Sequence, residues 1–204
     1  MPRPIVLASG SAIRARILKE AGLAFDIVRP QVDEAAIKRA GLAEGLDLEA
    51  LAMRLAEAKA RAARAPAGAL VIGADQILEF EGRPHDKPTS LDEARARLKE
   101  WRGKTHTLIN AVAVAETGEK GGDGAVVFRH LDRPRLHMRA MTDGEIDRYL
   151  EAAGPGILAS VGAYQVEGLG ARLFERIEGD YFAVLGLSLL PLLGFLRRAG
   201  ALDF

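Results

Sequence analysis

The chain has 204 residues, of which 49% are hydrophobic, and its 28 lysine and arginine residues balance its 28 aspartate and glutamate residues. This length and hydrophobic content are sufficient for one domain with a sizeable core. The absence of cysteine excludes a disulfide scaffold, thiolate zinc sites and a cysteine nucleophile. The balanced charge argues against DNA or RNA as a partner, because nucleic-acid binding usually requires a basic face.

Neither end of the chain predicts a targeting or membrane segment. The first eight residues contain one arginine and a short apolar run, which is too little for a signal peptide. Residues 181–196 are almost wholly apolar, but this run is shorter than the roughly 20 residues of a bilayer span and contains Gly186, Pro191 and Gly194. We therefore expect a buried C-terminal helix in a cytoplasmic protein without a membrane partner.

Hydrophobic periodicity predicts alternating strands and helices along the chain. Strands are predicted over residues 4–8, 24–29, 69–73, 77–80, 105–116 and 125–136. Helices are predicted after Ser11, over residues 47–65, from Ser90 to Trp101, from Thr142 to Ala152 and over residues 181–196. Asp47 is a suitable N-cap, and Ser90 and Thr142 each precede a glutamate by three residues, as in a capping box. This order of hairpins and crossovers predicts a mixed α/β fold in one domain over residues 1–204.

Several common catalytic motifs are absent from the sequence. There is no G-x-S-x-G of a serine hydrolase and no P-loop. The glycine-rich residues 118–124 match no phosphate-binding pattern and precede no helix, so we expect a mobile hairpin turn there. The four histidines have no metal-ligand spacing. Any chemistry of this chain must therefore depend on other residues.

A candidate anion site begins where the first predicted strand ends. Ser9-Gly10-Ser11 and Arg14 offer free backbone N–H groups, two hydroxyls and a guanidinium at a helix N-terminus, which is what a phosphate requires. The same residues also suit an ordinary N-cap turn with a solvated arginine. Lys59 and Lys87 are further cations for a triphosphate, although each alone also suits a solvated surface position.

Asp75 is the strongest candidate for chemistry, because it directly follows the apolar residues 70–74 at the predicted end of a buried strand. A carboxylate there needs a metal, a cation or a hydrogen-bonding role. With Glu34 as a second oxygen donor, Asp75 is suited to hold Mg²⁺ or Mn²⁺. A turn-forming role for Asp75 is the alternative.

Motifs along almost the whole chain resemble the Maf family of nucleotide pyrophosphatases. They occupy residues 7–14, 32–34, 56–60, 73–76, 86–88, 101–106, 162–168 and 179–187. The resemblance implies a Maf/inosine-triphosphatase-like α/β fold, with an elongated, mixed, twisted sheet flanked by helices and two lobes around a central cleft. It also implies a homodimer that hydrolyses a nucleoside triphosphate to the monophosphate and pyrophosphate with a divalent metal.

The resemblance also implies a role for each candidate residue. The triphosphate would be bound by Ser9, Ser11, Arg14, Lys59 and Lys87. Glu34 would help to hold the metal and the attacking water, and Asp75 would bind metal and accept the proton of that water. The implied reaction is in-line attack of this water on the α-phosphorus, with pyrophosphate as the leaving group.

Three positions bear on the choice of base: Ile13, Gln76 and Glu167. Gln76 with Glu167 resembles the 7-methyl-GTP branch, and a glutamate carboxylate can accept from the N1–H and amine of a guanine edge. The family's Ser-Pro-Arg/Trp-Arg is here Ser11-Ala12-Ile13-Arg14, so the aromatic or second arginine is missing. Ser188 also replaces a usual proline, and Ser160 stands where many relatives have lysine or cysteine.

These observations leave three hypotheses for the function. The first is a pyrophosphatase that prefers 7-methyl-GTP or another modified nucleotide. The second is a dTTP/UTP pyrophosphatase of the same family. The third is a nucleotide-binding regulatory protein with little catalysis, which the departures at Ile13 and Ser188 bring into consideration.

Overall fold

A computed structural model describes residues 3–118 and 124–204 of the chain. The helices are α1 (Ala12–Glu20), α2 (Glu34–Ala43), α3 (Leu48–Ala62), α4 (Leu91–Trp101), α5 (Asp143–Ala153), α6 (Tyr181–Leu185) and α7 (Leu189–Arg198). The strands are β1 (Ile5–Ala8), β2 (Asp26–Val28), β3 (Leu70–Phe80), β4 (Arg83–His85), β5 (Thr105–Glu116), β6 (Ala125–Asp132), β7 (Arg135–Met138) and β8 (Phe174–Glu178). Two short 3₁₀ helices cover Pro155–Ala159 and Leu169–Leu173. Most of the turn predicted over residues 118–124 lies outside the described residues.

The strands belong to one mixed sheet with the order β2-β1-β3-β5-β7-β8, in which β4 also pairs with β3 and β6 with β5. Strand β1 runs parallel to β2 and β3. The pairs β3–β4, β5–β6, β5–β7 and β7–β8 are antiparallel. The predicted mixed α/β fold, with both crossovers and hairpins, is confirmed.

The chain divides into two compact units. The first unit takes in the chain up to Gln76 together with Asn110–Asp132 and Gly186–Phe204. The second unit consists of Ile77–Ile109 and Arg133–Leu185. Strands β3 and β5 each contribute residues to both units.

The parallel strands of the first unit place three chain positions at one edge. All four residues of β1 are buried, as is typical of a parallel strand covered on both faces. Ala8 at the end of β1 lies opposite Val28 of β2 and Gly73 of β3. The next residues, Ser9, Arg29 and Ala74, therefore follow side by side at the carboxyl edge, where α/β proteins bind their ligands.

Helix α3 packs closely on β3 of the same unit. It begins where predicted, because the Asp47 carboxylate accepts a hydrogen bond of 2.8 Å from the Ala50 N–H. A Cβ atom on Gly73 would lie 2.1 Å from the Ala56 carbonyl oxygen and 2.6 Å from the Ala60 nitrogen, so only glycine fits. This contact holds α3, and Lys59 on its buried face, against the strand.

The second unit has its own core around Trp101, His106 and Tyr164. Helix α5 begins with the predicted capping box, in which Thr142 and Glu145 bond to each other's backbone N–H groups. Ser90 caps α4 by accepting from the Glu93 N–H at 3.1 Å. The Glu93 carboxylate accepts instead from the Thr89 N–H, and the capping box predicted for α4 is therefore only half formed.

Two predicted elements are divided in the structure. The strand predicted over residues 125–136 is two strands, β6 and β7, because Pro134 cannot donate to a ladder and interrupts the pairing. The helix predicted over residues 181–196 is α6 and α7, separated at Gly186, whose φ of 105° is outside the helical range. Within the described residues, no helix is long and apolar enough to cross a membrane.

One further boundary differs from the prediction. Strand β3 continues to Phe80, so Asp75 lies within a strand and not at its end. The polar residues up to Glu34 suit a loop or a helix start, and Glu34 is the first residue of α2. The Asp33 side chain caps α2 by accepting from the Ala36 N–H at 2.9 Å.

Candidate active site

A buried lysine joins the two predicted catalytic carboxylates in the first unit. Lys59 Nζ lies 2.6 Å from Asp75 Oδ1 and 2.9 Å from Glu34 Oε2. Lys59 and Asp75 are buried, whereas the Glu34 side chain is about half exposed. A buried charge is stable only with a partner, so three elements, α2, α3 and β3, meet at one cation.

Arg14 on α1 is held by backbone carbonyls from distant parts of the chain. Its Nε donates to the Gly186 carbonyl at 2.8 Å, and its Nη1 donates to the Ala74 carbonyl at 2.8 Å. Nη1 is also 3.4 Å from Ser9 Oγ. Burial lowers the pKa of Arg14, and the negative charges of Asp75 and Glu34 oppose this shift. A guanidinium remains protonated in proteins, so Arg14 is a fixed positive charge.

The two serines of the first loop have hydroxyls that the helix does not use. Ser9 is buried, and its Oγ accepts from the Ser11 N–H at 3.1 Å. Ser11 is the N-cap residue of α1, yet its side chain makes no capping hydrogen bond. Ser11 therefore stands at the N-cap without a side-chain cap, and Arg14, bound by two carbonyls, is not the solvated arginine of the alternative interpretation.

The three residues predicted to select the base fall in both units. Gln76 lies on β3, with its Nε2 3.9 Å from the position that a Cβ on Gly186 would occupy, beside Arg14. Ile13 lies on the first turn of α1 and is partly buried. Glu167 belongs to the second unit, in an exposed turn before the 3₁₀ helix Leu169–Leu173.

Lys87 also belongs to the second unit, where it is exposed just after β4. The structure thus gathers Ser9, Arg14, Glu34, Lys59 and Asp75 around one another in the first unit.

The sequence prediction missed the buried Asn110, and it named the buried Ser188 only as a replacement of proline, without a place in this site. Asn110 on β5 and Ser188 before α7 are fully buried. The Asn110 amide is satisfied at both ends when Nδ2 donates to the Gly186 carbonyl at 2.9 Å and Oδ1 accepts from the Ser188 N–H and hydroxyl at 3.1 and 2.8 Å. The available signal was a single amide within the apolar run of residues 108–115.

The donor set suits a hard divalent cation. Glu34 and Asp75 present carboxylate oxygens to the same space around Lys59 Nζ. Among the described residues no group of three or more histidine, cysteine, aspartate or glutamate side chains gathers. Mg²⁺ is commonly held by one or two carboxylates together with water and substrate phosphates, so these two residues fit it.

Comparison with known proteins identifies a family and several named relatives. The family model described as Maf-like protein matches residues 4–199. The nucleoside triphosphate pyrophosphatase of Caulobacter vibrioides is 49% identical over 98% of this chain and 97% of the relative. That of Rhodospirillum rubrum is 48% identical over 98% and 96%. The 7-methyl-GTP pyrophosphatase of Rhizobium meliloti is 44% identical over 98% of both chains.

These matches extend over nearly the full length of the chain, with no large part of any of these relatives left uncovered. The family match, from residue 4 to residue 199, includes Glu34, Lys59 and Asp75. The chain belongs to the Maf family.

Proposed function

We propose that the chain is a nucleoside triphosphate pyrophosphatase, which uses water to convert a nucleoside triphosphate into the monophosphate and pyrophosphate. The observation that best supports this is the buried Lys59 between Asp75 and Glu34, next to the anchored Arg14. The names of the relatives support the same reaction.

Asp75 is suited to accept the proton of the attacking water. Lys59 contacts its Oδ1, and among the described residues no group donates to Oδ2. In the proposed step, the water oxygen bonds to the α-phosphorus while the bond from this phosphorus to the bridging oxygen breaks. The water proton passes to Asp75, and pyrophosphate leaves with the bridging oxygen.

The metal in this proposal is Mg²⁺ or Mn²⁺, held by Glu34 and Asp75. When bound, it would neutralise phosphate charge and lower the pKa of a coordinated water. The cations of the first unit for the phosphates are Arg14 and Lys59, and Lys87 is the further cation that the resemblance implies. Ser9 and Ser11 add hydroxyl donors to the same group.

For the base, we propose a preference for guanine nucleotides and 7-methyl-GTP in particular. The support is the pair Gln76 and Glu167, and the Rhizobium meliloti relative named 7-methyl-GTP pyrophosphatase. Gln76 lies beside Arg14 in the first unit, where an amide can both donate to and accept from a base or ribose. A cytoplasmic location and a homodimer belong to the same proposal, and size-exclusion chromatography tests the dimer.

The direct test is a panel of nucleoside triphosphates scored for pyrophosphate release, with 7-methyl-GTP, GTP, dTTP and UTP as its main members. We expect pyrophosphate and monophosphate in equal amounts, the highest kcat/KM for 7-methyl-GTP, and no turnover after chelation of divalent metal. Addition of Mg²⁺ or Mn²⁺ should restore it.

Two results would contradict parts of this proposal separately. Faster hydrolysis of dTTP and UTP than of guanine nucleotides would overturn the base assignment but keep the reaction. Binding of nucleotides by calorimetry with no pyrophosphate over hours would overturn the reaction and favour a regulatory protein.

A further inference from the structure

Arg14 is oriented by a carbonyl that is itself held by two buried polar side chains. The Gly186 carbonyl accepts from Arg14 Nε at 2.8 Å and from Asn110 Nδ2 at 2.9 Å. Asn110 Oδ1 in turn accepts from both the N–H and the hydroxyl of Ser188. We propose that Asn110 and Ser188 are positioning residues that set the direction of the Arg14 guanidinium toward substrate phosphate.

Ser188 is placed where a serine would ordinarily cap a helix. It is the N-cap residue of α7, but its side chain makes no capping hydrogen bond. Serine at an N-cap commonly accepts from a helix N–H, and here the hydroxyl is directed to Asn110 instead. A proline at this position would lack both the N–H and the hydroxyl, so Asn110 Oδ1 would lose both donors.

The backbone at Gly186 makes this arrangement specific. Its φ of 105° is a conformation that side-chain-bearing residues rarely adopt. This turn separates α6 from α7 and directs the Gly186 carbonyl to Arg14 and Asn110 together. With two donors on the same oxygen, the direction of the carbonyl is restrained by both side chains.

Two of the three guanidinium nitrogens of Arg14 are bound to backbone carbonyls. Nε and Nη1 are occupied by the Gly186 and Ala74 carbonyls. Within the described part of the chain, no group accepts from Nη2. The two carbonyls therefore determine where Nη2 points, and Nη2 is the nitrogen left to bind a phosphate oxygen.

This inference rests on the proposed function only in that Arg14 binds phosphate, so it is tested by affinity and not by turnover. The probe is inorganic tripolyphosphate, titrated calorimetrically at constant Mg²⁺ concentration. We expect Asn110→Leu to weaken binding about tenfold and Ser188→Ala about threefold, and Ser188→Thr, which keeps both donors, to bind as the wild type does.

The matched control is Thr117→Val, which removes another buried, hydrogen-bonded hydroxyl of the first unit. It should lower Tm about as much as Ser188→Ala and leave the affinity unchanged. The decisive comparison is in an Arg14→Lys background, since lysine has no Nε–H for the Gly186 carbonyl. There, Ser188→Ala should weaken binding no further, because coupled residues are not additive.

Three results would overturn the inference. The first is wild-type affinity in folded Asn110→Leu and Ser188→Ala, and the second is an equal loss of affinity from Ser188→Ala in the Arg14→Lys background. The third is no binding of tripolyphosphate by the wild type. If Asn110→Leu does not fold, Ser188→Ala alone decides. A wild type that binds tripolyphosphate in the expected pattern but hydrolyses no nucleotide would overturn the proposed reaction and support the positioning role.

Discussion

Asp75 and Lys59 form a buried ion pair, and the proposed function uses both residues. Both side chains are buried and lie 2.6 Å apart, so each neutralises a charge that would otherwise be costly in the core. Glu34 adds a second carboxylate at 2.9 Å from a more exposed position. A metal that binds the two carboxylates would enter a site in which Lys59 already balances one negative charge.

Asp75→Asn should abolish most of the activity. The amide keeps the size of the side chain but cannot accept a proton at neutral pH, and general bases contribute about 10² to 10⁴-fold to rates. We expect kcat for pyrophosphate release to fall by about that factor, measured at saturating metal and substrate.

A control for this variant is Glu44→Gln, which removes a carboxylate of the same unit that pairs with Arg54 at 2.7 Å. It should retain wild-type kcat. Turnover in Asp75→Asn within twofold of the wild type would contradict the role of Asp75.

At the scale of elements, α3 lies directly against β3 at Gly73. Gly73 lies under Ala56 and Ala60, one turn of helix that also brings Lys59 over the strand. The position of Lys59 Nζ relative to Asp75 therefore depends on the absence of a single Cβ atom.

Gly73→Ala should destabilise the protein by about 1–3 kcal/mol, because the new methyl group overlaps helix backbone that has no room to move. It should also reduce activity by displacing Lys59. Urea denaturation and pyrophosphate release measure the two effects.

Gly156→Ala is the matched control, since a Cβ there meets nothing within 4 Å. Its free energy of unfolding should stay within about 0.5 kcal/mol of the wild type. Equal stability of Gly73→Ala and the wild type would show that α3 can shift without cost.

The parallel strands also place a further cation, Arg29, beside the first loop, although no sequence motif includes it. Arg29 follows β2 directly beside Ser9, and its Nε lies 3.5 Å from where a Cβ on Gly10 would be. The positive charges of Arg14 and Lys59 are balanced by the negative charges of Glu34 and Asp75. An exposed arginine at this edge would therefore add net positive charge next to the phosphate loop.

Arg29→Ala should raise KM for the nucleotide about three- to tenfold, with little change in kcat, because it weakens attraction of the polyanion. The difference should shrink at high salt. Arg64→Ala is the control. It removes an exposed charge in the segment that leads from α3 to the first residue of β3, and it should leave KM unchanged. Equal KM for Arg29→Ala and wild type at low salt would contradict this prediction.

At the scale of the whole molecule, stability should depend on pH through a histidine in the core of the second unit. His106 Nε2 lies 2.6 Å from Tyr164 Oη, and the His106 ring packs 5.2 Å from that of Trp101. Burial, with the positive charges of His85 and His137, lowers the pKa of His106 to about 3. Burial, followed by the charge of Arg97, also lowers the pKa of His85.

At acidic pH, protonation of His106 favours the unfolded chain over the folded chain. Below its ordinary pKa of 6.5, His106 takes up a proton in the unfolded chain but remains neutral in the folded chain down to about pH 3. The stabilisation is therefore complete above pH 6.5 and decreases as pH falls from 6.5 toward 3, by about 1.4 kcal/mol per unit.

Urea unfolding followed by the fluorescence of Trp101, the single tryptophan, should show a free energy of unfolding about 2 kcal/mol lower at pH 5 than at pH 7. His106→Gln should lose most of this difference and keep the part due to His85. The same pH dependence in both proteins would show that His106 is not its source.

Much of the fold and site could be predicted because the signals are local. The apolar run before Ser9, the Asp47 cap and the Thr142–Glu145 capping box each involve residues within four positions of one another. The residue types of the site, serine, arginine, lysine and paired carboxylates, likewise stand in short motifs. The sequence by itself determined the mixed α/β class, the family and the candidate phosphate-binding and carboxylate residues.

Tertiary structure decided what depends on distant residues. Arg14 and Gly186 are 172 positions apart, and Asn110 and Ser188 are 78 apart. Hydrophobic periodicity contains no information about such contacts, so the break of the last helix at Gly186 and the role of Asn110 were not predicted. The same holds for Lys59, whose burial depends on packing of α3 against Gly73 and on charge neutralisation by two other elements.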